Sequence, residues 1–319
     1  MATQATPPSS PRIAKSLLSA VKRGVQKRPL RAVAYGPEGV GKTLFASNAP
    51  SPIFLGCEDG FGTIDAARFP SPSSWTDVRA ALHELATVEH EFKTLVIDTA
   101  DWIEPLLQQD VCKRHGKNDI EAFGFGKGYV IALDEGWRPL LGQLEELGRK
   151  GMHVVILAHA KSENHQPPDG DAYERWTLKI DKRASGLLKE WCDTLLFMQW
   201  AGGFVDKSGD RKKGRAIGER VRTLYTQSSS GAFEAKNRFG LAPVLPLDWA
   251  EFFDGYERAF DKPRLLAEFE ALSKSAPADL VAKAREWIAQ DSNDFSRISR
   301  SIDRLRALAT TNTNATTEE

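Results

Sequence analysis

Cysteine is scarce in this chain. Three residues, Cys57, Cys112 and Cys192, are odd in number and form no Cys-x-x-Cys pair. That argues against a disulfide framework and a cysteine-based zinc site, and for a reducing cytoplasm. Net charge is missing too: 43 Lys and Arg balance 43 Asp and Glu. The chain therefore lacks the global basic signature of many nucleic-acid binders, and any anion must be met by a local patch. Long hydrophobic runs are also absent. None approaches the ~20 residues that span a bilayer, so no membrane partner is expected. The N-terminal "MATQATPPSSPR" has no apolar signal core. What is present is ordinary globular composition, 41% hydrophobic and 27% charged over 319 residues, enough for one or two domains.

Residues 1–11 are rich in Pro, Ser and Thr and read as disordered. Over 12–30, Arg12, Lys15, Lys22, Arg23, Lys27 and Arg28 meet no acidic residue, while Ile13, Leu17, Leu18, Val21 and Val25 recur at helical spacing. A basic amphipathic helix is expected there. From 31 to 258, short apolar runs alternate with helix-like segments. The runs are 32–35, 53–56, 94–98, 153–158 and 194–198; the helical segments lie near 42–48, 75–88, 101–114, 128–149 and 184–191. This alternation predicts an α/β core, a mostly parallel sheet with helices on both faces. Residues 203–227 add antiparallel strands around "DKSGDRKKGR", whose cations read as a solvated hairpin tip. A helical region over 259–309 and a disordered tail over 310–319 complete the layout.

"GPEGVGKT", residues 36–43, fits the G-x-x-x-x-G-K-[ST] phosphate loop and sits between an apolar strand and a helix-prone segment. Gly36, Pro37, Glu38, Gly39, Val40 and Gly41 form the loop whose backbone N–H groups curl around a phosphate, aided by the helix N-terminus. Lys42 reaches the β- and γ-phosphates, and the Thr43 hydroxyl can ligate Mg²⁺, so ATP and Mg²⁺ are the expected cofactors. A second carboxylate for the metal is expected at the end of a buried strand. "TLVIDT" places Asp98 there. AAA+ motors usually put Glu directly after this Asp, but here the next residue is Thr99. The carboxylate that orients the attacking water is then sought elsewhere: Glu58 first, with Asp59 and Asp101 as competitors.

These pieces together resemble the RecA-like ATPases over roughly residues 30–255. The phosphate loop opens Gly-Pro-Glu, as that family's often does, and Glu58 matches the position of its catalytic Glu. Residues 236–240 read "KNRFG", the signature of the RadA branch. The resemblance implies that Lys236 and Arg238 reach across a subunit interface to a neighbour's ATP, supplying positive charge in trans. It places His159 where many relatives carry a γ-phosphate-sensing Gln. It also places a DNA-binding loop at 160–173, followed by cations that lead into a helix. The residues implied are Lys161, Arg175, Trp176, Lys179, Lys182 and Arg183, with Tyr173 beside them; such a set stacks on bases and pairs with phosphates. A second basic-aromatic loop, 113–130, holds Lys113, Arg114, Lys117 and Lys127 with Phe123 and Phe125.

The zinc module and protease-like domain of RadA proteins and the large N-terminal domain of DnaB-type helicases have no counterpart here. The layout instead resembles the short RecA-core recombination and single-strand annealing ATPases of bacteriophages. That implies DNA-dependent ATP hydrolysis and head-to-tail self-assembly as a filament or ring. The partners would be single-stranded DNA and a single-strand-binding protein, and the place of action a bacterial host's cytoplasm. Two alternatives stand beside it: a ring-shaped DNA translocase or helicase, and a nucleotide-switched scaffold that binds no DNA.

Overall fold

Strands buried on both faces carry near-continuous apolar sequence, and the core of this chain is built from five of them. The computed structural model describes residues 21, 25–56, 61–167, 170–202, 204–206, 215–217, 220–228, 231–291 and 295–315. The first strands are β1 (Arg31–Gly36), β2 (Pro52–Leu55), β3 (Ala67–Arg68), β4 (Thr94–Ile97) and β5 (His153–His165). They are followed by β6 (Tyr173–Leu178), β7 (Thr194–Ala201), β8 (Phe204–Asp206) and β9 (Arg215–Ile217). The last are β10 (Val221–Tyr225), β11 (Lys236–Asn237) and β12 (Val244–Pro246).

The main sheet runs β12-β10-β7-β1-β5-β4-β2-β3, with β6 paired to β5 and β11 to β7. From β7 across to β3 every neighbour is parallel. Strands β10, β11 and β12 are antiparallel additions at one side. This is the mostly parallel α/β core that the alternating pattern predicts.

The helices are α1 (Lys42–Ser47), α2 (Trp75–Thr87), α3 (Ala100–Arg114), α4 (Lys127–Ala132), α5 (Arg138–Arg149), α6 (Lys182–Trp191) and α7 (Trp249–Arg258). A π turn over Leu133–Trp137 joins α4 to α5. Period-2 alternation divides the central strands between two cores. Val33, Tyr35, Leu95 and Ile97 face one side, against Leu82 of α2, Leu107 of α3, Leu144 of α5 and Leu188 of α6. Ala32, Ala34, Val96 and Leu157 face the other, against Phe45 of α1 and Trp249, Phe252 and Tyr256 of α7. Local chemistry sets the boundaries: Ser74 and Asp77 form a reciprocal capping box that starts α2. A third cluster, built on Leu265, Phe269, Val281, Ile298 and Ile302, holds together α8 (Lys262–Ser273), α9 (Ala278–Ala289) and α10 (Phe295–Ala315).

Three expectations change. The loop over 160–173 is largely a β-hairpin, because β5 continues to His165 and pairs antiparallel with β6. Most of the basic helix over 12–30 lies outside the described residues, and its described end, 25–30, is not helical. Helix α10 runs to Ala315, past the tail boundary read from composition at 309.

Candidate active site

The C-terminal ends of parallel strands form a ligand-binding edge in α/β sheets, and the phosphate loop leaves β1 at that edge. Gly39 and Gly41 hold positive φ values of 71° and 108°, a backbone that L side chains resist. The Lys42 side chain is buried in the loop, its Nζ donating to the carbonyls of Gly36 at 3.3 Å and Pro37 at 3.0 Å. Pro37, Glu38 and Val40 complete the turn into α1. Two strands away, β4 delivers Asp98, which is 3% exposed. Its Oδ2 accepts a hydrogen bond from Thr43 Oγ1 at 2.8 Å. Gly56, just past β2, makes this approach possible: a Cβ there would lie 1.7 Å from the Asp98 carbonyl oxygen.

A hydroxyl and a carboxylate oxygen, held together beside a phosphate loop, are the hard donors that Mg²⁺ uses when substrate phosphates supply further ligands. The residues present fit that ion. Among the described residues no cluster of three or more His, Cys, Asp or Glu could hold a metal by itself.

His159 stands on β5 directly across from Gly36 and is 5% exposed. Asp101, in the first turn of α3, grips it twice. One carboxylate oxygen accepts the His159 backbone N–H at 2.8 Å, and the other meets the ring Nδ1 at 2.8 Å. Burial pushes the Asp101 carboxyl up, but the His159 ring and backbone bonds together outweigh it and hold the group below the ordinary carboxylate range. An ionised carboxylate only accepts, so Nδ1 carries the proton. One turn further along α3, Glu104 goes the opposite way. Burial pushes it up to about 7, against the opposing pull of the Asp181 backbone N–H that it accepts. A cavity of about 330 Å³ is lined by Gly39, Gly41, Lys42, Thr43, His159 and Arg222, among others.

The expected base, Glu58, lies outside the described residues, as does Asp59. Asp101, the third candidate, is committed to His159. The DNA-binding candidates divide. Lys179 and Lys182 are exposed, and Trp176 is 40% exposed. Arg175, by contrast, pairs with Glu163 at 3.6 Å and Glu234 at 3.3 Å. Lys161 donates to the Ile180 carbonyl at 2.7 Å, and Arg183 pairs with Asp181 at 3.6 Å. Tyr173 packs edge-on against His165.

Lys236 and Arg238 are not brought to this chain's own phosphate loop. Strand β11 pairs with the first residues of β7, at the opposite edge of the sheet. There Lys236 Nζ donates to the Lys189 carbonyl at the end of α6, and Arg238 lies 3.3 Å from Asp193. The rest of the signature serves the turn. The Asn237 side chain accepts the Phe239 N–H and donates to the Leu241 carbonyl, and Phe239 is buried against Tyr256.

Reading along the chain did not find Tyr35 or Arg222. Tyr35 carries the visible signal of a hydroxyl in an otherwise apolar strand. Its OH accepts the Glu234 N–H at 2.9 Å and faces the carbonyls of Glu234 and Trp176 at 2.7 and 3.2 Å. Arg222 has no motif around it.

Compared with known families, residues 28–239 match the family model described as an AAA domain, well over half of the chain. No curated protein matches it in a sequence comparison.

Proposed function

The chain belongs to the AAA-domain family of P-loop ATPases, and from that premise we propose that it is an ATP-dependent, single-stranded-DNA-binding recombination or annealing protein of RecA-like type, working as a head-to-tail oligomer. The observation that carries the reading is the continuity of β5. The strand that sets His159 beside Gly36 runs on unbroken to His165 and returns as β6. The phosphate loop and the surface bearing Trp176, Lys179 and Lys182 thus share one short hydrogen-bonded path. Tyr35 adds a second link, tying the residue before Gly36 to the backbone of Trp176.

In this reading Lys42 and the loop N–H groups hold the β- and γ-phosphates, and Thr43 and Asp98 hold the metal. Bound Mg²⁺ would neutralise charge on the phosphate oxygens. Glu58 orients the attacking water. Asp101 fixes the His159 ring at the cavity wall, where it reports the presence of the γ-phosphate to the hairpin. Lys236 and Arg238 sit at the edge opposite the phosphate loop, where head-to-tail stacking would bring them to the next copy's ATP, and they add positive charge to its transition state.

The test is the affinity of the full chain for a fluorescent single-stranded oligonucleotide, measured by anisotropy with Mg-ATP, with Mg-ADP and without nucleotide. ATP is expected to tighten binding by ~10-fold or more, within the usual range of allosteric coupling. Equal affinity in all three states would sink the reading. One observation favours the scaffold alternative: Arg175 spends its charge on Glu163 and Glu234. ATP-dependent assembly with no response to DNA is the outcome that alternative predicts.

A further inference from the structure

Strands β10 and β7 pair antiparallel with Arg222 opposite Trp200 and Leu224 opposite Met198. Because side chains alternate, Arg222 and Trp200 share a face with Leu224 and Met198, which are buried in the core beneath α1 and α7. Followed toward the strand ends, that face emerges beside the phosphate loop. There the Arg222 guanidinium lies 4.8 Å from the Trp200 ring centroid. Arg222 Nη1 lies only 3.3 Å from where a Cβ on Gly41 would be, and Leu247 Cδ2 lies 3.6 Å from the same point. Trp200 is 37% exposed. Among the described residues no carboxylate forms an ion pair with Arg222, whereas Arg28, Arg31 and Arg238 share Asp193.

The order of the sheet gives this cation a direction. Asp98 and His159 come from β4 and β5, on one side of β1, while Arg222 and Trp200 come from β10 and β7, on the other. A triphosphate seated on the loop with its metal-bearing end toward Asp98 directs its nucleoside end toward the opposite flank. A planar guanidinium backed by an aromatic ring offers a flat, cationic plate to a nucleobase, whose π-face it can stack against. We propose that Arg222, supported by Trp200 and walled by Leu247, is the same-chain platform that binds the base of the nucleotide. This assignment rests on the nucleotide-binding reading above and adds to it the residue that distinguishes a nucleoside triphosphate from bare polyphosphate.

The experiment compares two ligands, Mg-ATP and Mg-tripolyphosphate, by calorimetry on wild type, Arg222→Ala and Arg222→Lys, with melting temperatures as a check on folding. Arg222→Ala is expected to weaken ATP by ~10-fold, within what one stacked cation–π contact supplies, and to leave tripolyphosphate unchanged. Arg222→Lys, which keeps the charge and loses the plane, should follow Arg222→Ala. Equal weakening of both ligands would make Arg222 a phosphate contact and overturn the assignment; so would no weakening of either. A wild type that binds neither ligand would overturn the nucleotide site itself, a different failure from the first two.

Discussion

Cations gather at both ends of β1, and the two ends use them in opposite ways. At the N-terminal end, Asp193 is fully buried and draws in Arg28, Arg31 and Arg238. The hydrogen bond from Arg31 to Asp193 leads the effects that raise its pKa, so this guanidinium stays charged. At the C-terminal end, Lys42 is folded back onto loop carbonyls and Arg222 stands over an aromatic ring. One end consumes positive charge to clamp the start of strand β7, the segment 25–30 and the 236–240 turn together. The other holds it beside a cavity. A formal net charge of zero therefore says little about where this molecule can meet an anion; the partner of each cation decides.

The sharpest way to break that comparison is to ask whether Arg238 and Lys236 do more than clamp. Under the proposed function, Lys236→Ala/Arg238→Ala is expected to cut ATP turnover measured with single-stranded DNA by on the order of 10³-fold, the scale of an arginine finger supplied in trans. Mixing this variant with Lys42→Ala should restore part of the rate, since each supplies what the other lacks. Turnover that survives the double substitution would confine both cations to the clamp.

A smaller effect is expected from Asp193→Ala, which strands three arginines. Its cost is about 2–4 kcal/mol in denaturant unfolding, below the full penalty for a broken buried pair because Arg28 and Arg238 are half exposed. ATP affinity should hold, because the clamp lies at the far edge. A loss of ATP binding without loss of stability would mean that the two ends are not separate.

The smallest effect concerns the two carboxylates of α3. Glu104 is raised from 4.5 to about 7. Its contribution to stability is complete below pH 4.5 and is lost as pH rises through 7, because the folded state then holds a charge that burial opposes. Glu104→Gln keeps an acceptor for the Asp181 N–H and cannot ionise. Its melting temperature should gain a few degrees on wild type between pH 5 and pH 8. A constant difference across that range would remove Glu104 as the titrating group. Asp101, held ionised by His159, should show no such gain when replaced by Asn.

The five central strands β1, β2, β4, β5 and β7, and the placing of Asp98 opposite the phosphate loop, were legible along the chain because each is a local signal. "TLVID" is apolar throughout and ends in Asp, and "GPEGVGKT" is contiguous. What escaped depends on pairing between distant segments. The stretch at 160–173 looked like a polar loop because strand residues beyond the core no longer need to be apolar. Tyr173, Arg175 and Trp176 find their places through register with His165, Glu163 and Ser162. No motif marks Arg222, and only the antiparallel addition of β10 to β7 sets it against Trp200 and the phosphate loop. The "KNRFG" turn shows the reverse case. Its resemblance to the RadA signature implies a finger that reaches a neighbour, while within one chain Asn237 and Phe239 hold the turn in place and Arg238 shares a buried carboxylate.

By itself, the sequence determined the α/β class, the phosphate loop and the carboxylate that answers it. Period-2 and helical patterning act over a few residues, and left-handed glycines need no distant partner. Tertiary structure alone decided which charges are spent and which face a cavity. A carboxylate neutralises a cation only through proximity, and residues 28, 31, 193 and 238 become neighbours only when β1, β7 and β11 are laid side by side.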